Sequence, residues 1–389
     1  MDLAFAGVDE SFRRVVRTWL SENAPRGRRP RTLKGMREVD LAWQRQQYEA
    51  GWAGIAWPEE FGGRGLSLTQ QLVWQEEYAR TGLPPIDARF VGLNHAGPTL
   101  MARGTEAQRV RHLNEILRGD VVWCQGFSEP EAGSDLASLR TRGEVDGDEL
   151  VVTGQKIWTS FAAVADWQEL LVRTNPNVPK HKGLTWVICD MASSGIDVRP
   201  IRTMDRGEDF AEVFYDDVRI PLANVVGGID SGWSVAMSTL SFERGTAFTV
   251  SQVQLSSSVE RLIEMAGSRK SVDGRRVIDD EALAQRLARA RADVAALRAL
   301  TYLNISRNAH SPEPGPEGSM LKLQDAELTK RVFKLALEIL GPRSLAVPDD
   351  EDETVWIDRQ LWSYAASIGG GTSEIQRNII AERVLGLPR

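Results

Sequence analysis

The spacing of apolar residues changes twice along the chain, and each change predicts a different kind of structure. Phe12, Val15, Val16 and Trp19 recur at helical spacing near the start, and helical patterns continue to about residue 120. Short β-branched and aromatic runs separated by Gly, Pro, Asp or Asn then follow, which is typical of an antiparallel barrel or sandwich. After Gly232, long stretches with one apolar face predict helices again.

This order predicts an α+β multi-domain fold. We expect an N-terminal helical domain over residues 1–121, a central antiparallel β barrel or sandwich over 122–228, and a C-terminal four-helix bundle over 229–389. A chain of 389 residues is longer than one ordinary core needs, so division into two or three packed domains is expected from length alone.

Local signals place several individual elements. They predict helices over residues 68–80 and 105–118, and Thr105 is expected to cap the second helix. Asp146-Gly147, followed by a run of strand formers, predicts a β-hairpin with a two-residue turn at these positions.

Composition and charge exclude several classes of function. The chain is 42% apolar and 26% charged, as globular proteins are, and its net charge of −7 disfavours nucleic acid as a partner because phosphate groups repel an acidic surface. No apolar run approaches the roughly 20 residues of a membrane span, and the N-terminus lacks the pattern of a signal peptide. The only cysteines, Cys124 and Cys189, exclude a disulfide framework and predict a cytoplasmic protein.

The histidines give no sign of a metal site. His95, His112, His181 and His310 are scattered without the spacing of metal ligands. We therefore expect them to be solvated or helix-capping side chains, and we expect no metal.

The predicted hairpin is the first candidate site. It lies within residues 123–160 and would bring Ser128, Ser134, Trp158 and Ser160 to one edge. An edge of hydroxyls, backbone N–H groups and one flat indole suits a planar, hydrogen-bonding ring better than a metal or a nucleophile. We therefore predict that a flavin ring lies here.

A second candidate site follows the glycine triplet 369–371. A glycine turn that delivers backbone N–H groups to the start of a helix favours a phosphate group. Ser373 and Gln376 have the spacing of a capping box, which predicts that a helix starts at this point. A flexible loop followed by a capped helix is the alternative.

Several motifs, taken together, resemble those of the acyl-CoA dehydrogenase family along the whole chain. The matching stretches are WPEEFGGRGLS, GFSEPEAGSDL, GQKIWTS, VFYDDVRIP before GWSVAMSTL, and GGTSEIQRNIIAERVLG. The resemblance implies an FAD-dependent enzyme that removes two hydrogens from the α- and β-carbons of an acyl-CoA thioester to give the trans-2-enoyl-CoA. It also implies an electron-transferring flavoprotein as electron acceptor, and a homodimer or homotetramer.

The resemblance assigns most of the flavin-binding wall. Ser128 would bond near the reactive edge of the flavin, Ser134 would lie near both the CoA and the flavin, Trp158 would cover the dimethylbenzene side, and Ser160 would bond the ring system. Thr372 and Glu374 would face the FAD pyrophosphate. The full set of cofactor-binding residues implied in this way is Gln125, Phe127, Ser128, Ser134, Trp158, Ser160, Thr372 and Glu374.

The catalytic base is where the sequence departs from the most familiar pattern. Many relatives carry the base, a glutamate, in the C-terminal glycine loop, where this chain has Gly370. A second group places the base on the first long helix after the β domain, directly before an arginine. Glu243, followed by Arg244, has that position, and Gly370 would clear space for it. The resemblance thus implies Glu243 as the base, with Arg244, Gly370 and Ser134 near the substrate; a structural ion pair is an equal alternative for Arg244.

Two further departures leave alternatives open. Residues 338–344 and 268–276 differ from the stretches that hold the FAD adenine in many relatives. One alternative is therefore a subunit of a heteromeric, sterol-type acyl-CoA dehydrogenase with an incomplete flavin site, which would form a heterotetramer. An acyl-CoA oxidase and a catalytically silent helical scaffold are the others. The length and class of the acyl chain do not follow from the sequence.

Overall fold

The computed structural model describes residues 7–27, 29–84, 87–242, 248–308, 315–345 and 351–388, and it confirms the predicted fold class. Helices come first, a mostly antiparallel β-sheet follows, and helices return. The α-helices are α1 (Gly7–Asn23), α2 (Leu33–Glu49), α3 (Leu68–Arg80), α4 (Gly97–Arg103), α5 (Glu106–Arg118), α6 (Gly232–Phe242), α7 (Phe248–Ser268), α8 (Glu281–Asn308), α9 (Gly318–Leu340), α10 (Glu351–Ser363) and α11 (Ser373–Ile379). The strands are β1 (Trp123–Gly126), β2 (Arg142–Asp146), β3 (Glu149–Ser160), β4 (Trp167–Arg173), β5 (Leu184–Asp190), β6 (Ile196–Ile201), β7 (Phe210–Pro221) and β8 (Val225–Val226).

Two predicted helices are confirmed together with their ends. α3 spans the predicted residues 68–80. The Thr105 side chain caps α5 by accepting from Gln108 N at 3.2 Å, and the Gln108 side chain accepts from Thr105 N at 2.9 Å. This reciprocal pair satisfies two backbone donors that the first turn of a helix leaves open. Among the described helices, none is long and apolar enough to cross a lipid bilayer.

The sheet runs in the order β6-β7-β3-β2-β4-β5-β8, and β1 pairs with β4 in parallel. The predicted hairpin is β2–β3, but its turn lies one residue further along than predicted. Asp146 pairs with Glu149, so the two loop residues are Gly147 and Asp148. Gly147 has φ +64°, which glycine adopts at little steric cost.

The chain divides into two compact units. Unit 1 contains Met1–Asn23, Leu68–Pro85 and Arg244–Arg389, and its core is formed mainly by α7, α8 and α9. Unit 2 contains Ala24–Ser67 and Ile86–Glu243. The three domain ranges given above remain a prediction.

Unit 2 has a separate apolar core on each side of the sheet. Val152, Val172 and Val213 contribute to the core on one face. On the other face, Trp123 and Trp186 pack with residues of the neighbouring helices, among them Leu100 of α4, Ile116 of α5 and Val235 of α6. We call this second core the helix–sheet layer.

The expectation of solvated or capping histidines is wrong for His95 and His112. His95 is 3% exposed and His112 is 1% exposed, whereas His310 lies outside the described residues. The His112 ring packs edge-on against Trp123 and Trp167, with centroid distances of 5.2 and 4.8 Å. Burial lowers the pKa of His112 to about 4, and the charge of Arg111 acts in the same direction.

We predict that His112 makes the folded protein sensitive to acid. Its ordinary pKa of 6.5 applies after unfolding, so between pH 6.5 and 4 the unfolded chain binds a proton that the folded chain does not. The free energy of unfolding should therefore fall by up to about 3 kcal/mol over this range because of this one group. Urea denaturation at several pH values measures the effect.

His112→Phe keeps an aromatic ring between the two tryptophans and removes the titration. The difference in unfolding free energy between this variant and the wild type should change steadily from pH 6.5 to pH 4. Parallel stability curves for the two proteins would contradict the assignment.

Candidate flavin-binding site

A β-bulge near the end of β3 exposes a tryptophan. The register between β3 and β7 shifts between Lys156 and Thr159, and Trp158 within this bulge has φ +61°. A non-glycine residue in this left-handed region costs about 1–2 kcal/mol, and such strain concentrates at functional sites. The bulge leaves the Trp158 side chain 55% exposed, with an edge-on contact to Phe210 at 6.1 Å between ring centroids. The strand thus presents a flat aromatic surface.

Two of the predicted serines, Ser128 and Ser160, add hydrogen-bonding groups beside this surface. Ile157 N donates to Ser128 O at 2.9 Å, which fixes Ser128 beside the bulge, and Ser160 ends β3. Ser128 and Ser160 are half-buried and Ser134 is exposed. Within the part of the chain that the structure describes, the three hydroxyls make no hydrogen bond. Free hydroxyls beside an exposed indole fit a planar ring with polar edges, as the isoalloxazine of FAD has.

A fully buried ion pair supports this wall. Lys156 is 0% exposed, and its Nζ donates to Glu129 Oε1 at 2.8 Å and to Phe127 O at 3.0 Å. Glu129 also accepts from Arg140 N at 2.6 Å and Thr141 N at 2.8 Å. The pair therefore joins the segment that contains Ser128 to the strand that contains Trp158.

The pKa values of the two partners are shifted by burial, and the attraction between their opposite charges acts against this effect. Burial lowers the pKa of Lys156 to about 8, although the nearby carboxylate opposes this effect. Burial also acts to raise the pKa of Glu129, but the charge and hydrogen bond of Lys156, with the donors from Thr141 and Arg140, lower it overall. Both groups are therefore charged near pH 7.

Gln125 and Phe127 have different environments. Phe127 is 4% exposed, and its ring belongs to the helix–sheet layer. Gln125 is half-buried, and its Nε2 donates to Glu169 Oε1 at 2.7 Å. Only the Gln125 side chain therefore retains access to solvent.

The predicted helix start at the C-terminal glycine loop is confirmed, but the capping residue is different. Thr372 caps α11 by accepting from Ile375 N at 3.2 Å. Ser373 instead donates to Glu327 at 2.7 Å, and Gln376 Nε2 donates to Gly370 O at 3.0 Å. The predicted Ser373–Gln376 capping box is therefore wrong, because both side chains bond elsewhere.

Gly370 and Glu374 lie on the exposed side of this loop. Gly370 has φ +65°, a conformation that favours glycine. The Glu374 side chain is 76% exposed and pairs with Arg377 at 3.2 Å. The role of Glu374 near a pyrophosphate remains a prediction.

The predicted base and its neighbour, Glu243 and Arg244, lie outside the described residues. The helix that precedes them, α6, ends at Phe242. Val235 and Ala236 fix this helix in the helix–sheet layer.

Residues 338–344 and 268–276, which depart from the family pattern, make contacts with other parts of the same chain. Glu338 pairs with Arg286 at 3.0 Å between Oε1 and the guanidinium. Lys270 and Arg276 form an isolated bridge that closes the turn after α7. These contacts account for the local structure and assign no ligand to either segment.

Sequence reasoning missed two buried charged groups, Lys156 and Glu169. A signal was available for each. Lys156 follows Leu150 and Val152 at two-residue steps along one strand, so alternation places it on the inner face. Glu169 directly precedes the apolar run Leu170–Val172 of β4, and this strand is buried on both faces. A charge at such a position requires a partner.

Comparison with known proteins identifies relatives along the whole chain. Residues 8–120, 124–218 and 230–385 match the N-terminal, middle and C-terminal domains of acyl-CoA dehydrogenase. The chain is 39% identical over 389 residues to acyl-CoA dehydrogenase IpdE1 of Mycobacterium tuberculosis, with 98% of each protein covered. It is 34% identical to acyl-CoA dehydrogenase FadE26 of the same organism, covering 100% of this chain and 99% of that protein.

Two solved structures have a similar fold over their full length. The Tcur3481-Tcur3483 steroid ACAD aligns with a TM-score of 0.85 at 31% identity, with 100% of each chain covered. The ChsE4-ChsE5 complex from Mycobacterium tuberculosis aligns with a TM-score of 0.84 at 33% identity, again with 100% of each chain covered.

We predict that the two ends of the Lys156–Glu129 pair are unequal in their effect on stability. Glu129→Gln leaves a buried ammonium without its counter-charge and should destabilise the protein by about 3–5 kcal/mol. Lys156→Met should cost less, because Glu129 keeps the Arg140 and Thr141 N–H donors. Chemical denaturation measures both values.

The double variant provides the control. Because it removes both charges, its loss of stability should be smaller than the sum of the two single losses. If the losses of unfolding free energy are additive, the two charges do not stabilise each other. If the two single variants lose the same free energy, the predicted inequality is wrong.

Proposed function

We propose that this chain, which belongs to the acyl-CoA dehydrogenase family, converts an acyl-CoA thioester to the trans-2-enoyl-CoA. The family comprises FAD-dependent oxidoreductases that act on CH–CH bonds. The observation that carries the proposal is the exposed, strained Trp158 beside the free Ser128 hydroxyl. This combination matches a flavin ring and has no evident role in the stability of the strand.

The residues proposed to hold FAD fall into two groups. The β3 bulge and the segment before it supply the indole and the hydroxyls, and the start of α11 supplies the pyrophosphate contacts. When bound, FAD supplies the acceptor for two electrons. The proposed cofactor-binding residues are Gln125, Phe127, Ser128, Ser134, Trp158, Ser160, Thr372 and Glu374.

We assign the role of general base to Glu243. Removal of the α-proton requires a carboxylate, and Gly370 provides none. In the sequence Glu243 directly follows α6, a helix that packs in the helix–sheet layer. Arg244, Gly370 and Ser134 are the proposed neighbours of the substrate. Exclusion of water around the carboxylate would raise its basicity.

An electron-transferring flavoprotein is the proposed electron acceptor. The alternative acceptor is molecular oxygen, which would make the chain an oxidase. Peroxide release during turnover separates the two, because only the oxidase produces it in proportion to product.

A second candidate function is that of one subunit in a heteromeric enzyme for steroid acyl-CoA substrates. The similarity to the steroid ACAD and to the ChsE4-ChsE5 complex favours it. The sequence of residues 338–344 also supports it, since this segment differs from the stretch that holds the FAD adenine in many relatives, and its first residue, Glu338, pairs with Arg286 instead. A partner chain would then complete the adenine site.

We predict that Glu243→Gln retains FAD but lowers turnover by roughly a hundredfold or more, because the amide cannot accept the α-proton. Reduction of the bound flavin by acyl-CoA, followed by absorbance, measures this loss directly. Glu144→Gln, which changes an exposed carboxylate on β2, serves as the matched control and should behave as the wild type. Normal flavin reduction in Glu243→Gln would end the assignment of the base.

We predict that the oligomeric state and the FAD content of the purified protein distinguish the two candidate functions. A homo-oligomeric enzyme should purify from expression of this chain alone as a yellow oligomer with one FAD per chain. A heteromeric subunit should carry less than one FAD per chain until a partner is co-expressed. Mass and absorbance measurements on the same sample decide, and a panel of linear, branched and steroid acyl-CoA thioesters identifies the substrate class.

A further inference from the structure

The helix–sheet layer contains a polar cluster of three side chains. Gln125 of β1 and Glu169 of β4 lie side by side, because the two strands pair in parallel at these residues. His95 enters from a π-helical turn, Gly92–Ala96, that precedes α4. His95 Nδ1 lies 3.3 Å from Glu169 Oε1, and Gln125 Nε2 lies 2.7 Å from the same oxygen.

Stability alone does not account for this cluster. Glu169 is 0% exposed and His95 is 3% exposed, within a layer that otherwise consists mainly of apolar residues. Removing a carboxylate from water costs several kcal/mol, and well-packed apolar residues are often as stable as a buried ion pair or more so. The π turn that brings in His95 is itself a feature found often at functional sites.

The cluster determines which way the Gln125 amide faces. Gln125 Nε2 donates to Glu169 Oε1 and also lies 3.2 Å from His95 Nδ1, so the NH₂ end of the amide faces the cluster. His95 Nδ1 contacts the same oxygen of Glu169, which restricts the position of the carboxylate. The amide oxygen of Gln125 is then the end that a ligand can meet, and it acts as an acceptor for an N–H group.

We propose that Glu169 and His95 are positioning residues that orient Gln125 as a hydrogen-bond acceptor toward bound FAD. This inference rests on the proposed function, in which Gln125 belongs to the flavin-binding wall. The ring N–H groups of a flavin are the matching donors. Glu169 and His95 act through Gln125, and neither is required to touch the cofactor.

A double-mutant cycle tests this role in the purified holoenzyme, with any partner chain present. Glu169→Gln replaces the carboxylate with an amide that no longer imposes one orientation on Gln125. Gln125→Leu removes the acceptor at similar volume. Each variant should weaken FAD binding by about tenfold and shift the flavin absorbance maxima, as loss of a hydrogen bond to a charged or oriented group does. The double variant should bind FAD as Gln125→Leu does, because the effect of Glu169 passes through Gln125.

Two further variants make the cycle decisive. Thr99→Val removes a buried hydroxyl in the same layer, whose partner is Thr239 at 2.8 Å, and should leave FAD affinity and spectrum unchanged. If Glu169→Gln does not fold, His95→Phe replaces it in the cycle, since a phenyl ring keeps the edge-on packing with Phe90. His95→Phe should weaken FAD binding in the same direction and should likewise add nothing to Gln125→Leu.

The outcomes separate this inference from the proposed function. Suppose that the wild-type enzyme binds FAD and that acyl-CoA reduces the bound flavin. Wild-type FAD affinity in Glu169→Gln, or additive losses of affinity in the double variant, then refutes the positioning role alone. A wild-type assembly that binds no FAD refutes the proposed function and this inference together.

Discussion

The geometry of the candidate flavin wall depends on the burial of one ammonium group. Lys156 is fully buried, so its side chain must reach acceptors inside unit 2, and it reaches Glu129 and the carbonyl of Phe127. These contacts hold the segment around Ser128 against β3. The bulge that exposes Trp158 begins at Lys156 itself. A shift of this segment along the strand would leave the charge unpaired, so the pair fixes the relative position of the hydroxyl and the indole.

The same physical principle operates at a second place in unit 2. Glu169 is also fully buried, and its partners, Gln125 and His95, come from a neighbouring strand and a helical turn. Buried ion pairs contribute little net stability, because the cost of removing charge from water offsets their attraction. What they provide is geometry, since only one arrangement satisfies them. The Lys156–Glu129 pair and the cluster around Glu169 each join elements that are distant in sequence, next to residues proposed to bind the cofactor.

The sequence predicted local structure well and long-range partners poorly. Turn and capping signals found α3 and α5, because the start of a helix is encoded by residues close together in sequence. The hairpin turn moved by one residue because Gly147 can serve either of two turn positions, and strand pairing, a non-local constraint, decides between them. Alternation could have indicated that Lys156 is buried, but its partner Glu129 lies 27 residues earlier, in the irregular segment between β1 and β2. The burial of His95 depends on a π turn, for which the sequence carries no periodic signal.

The C-terminal loop shows why the proposed chemistry needs contributions from separate parts of the chain. Its side chains are occupied by hydrogen bonds: Thr372 caps α11, Ser373 donates to Glu327 of α9, and Gln376 donates to the Gly370 carbonyl. A loop stabilised in this way is well suited to present main-chain groups, which matches a phosphate, but it provides no side chain at Gly370 to remove a proton. Under the proposed function the base therefore comes from another element, and Glu243, the proposed base, directly follows α6 in the sequence.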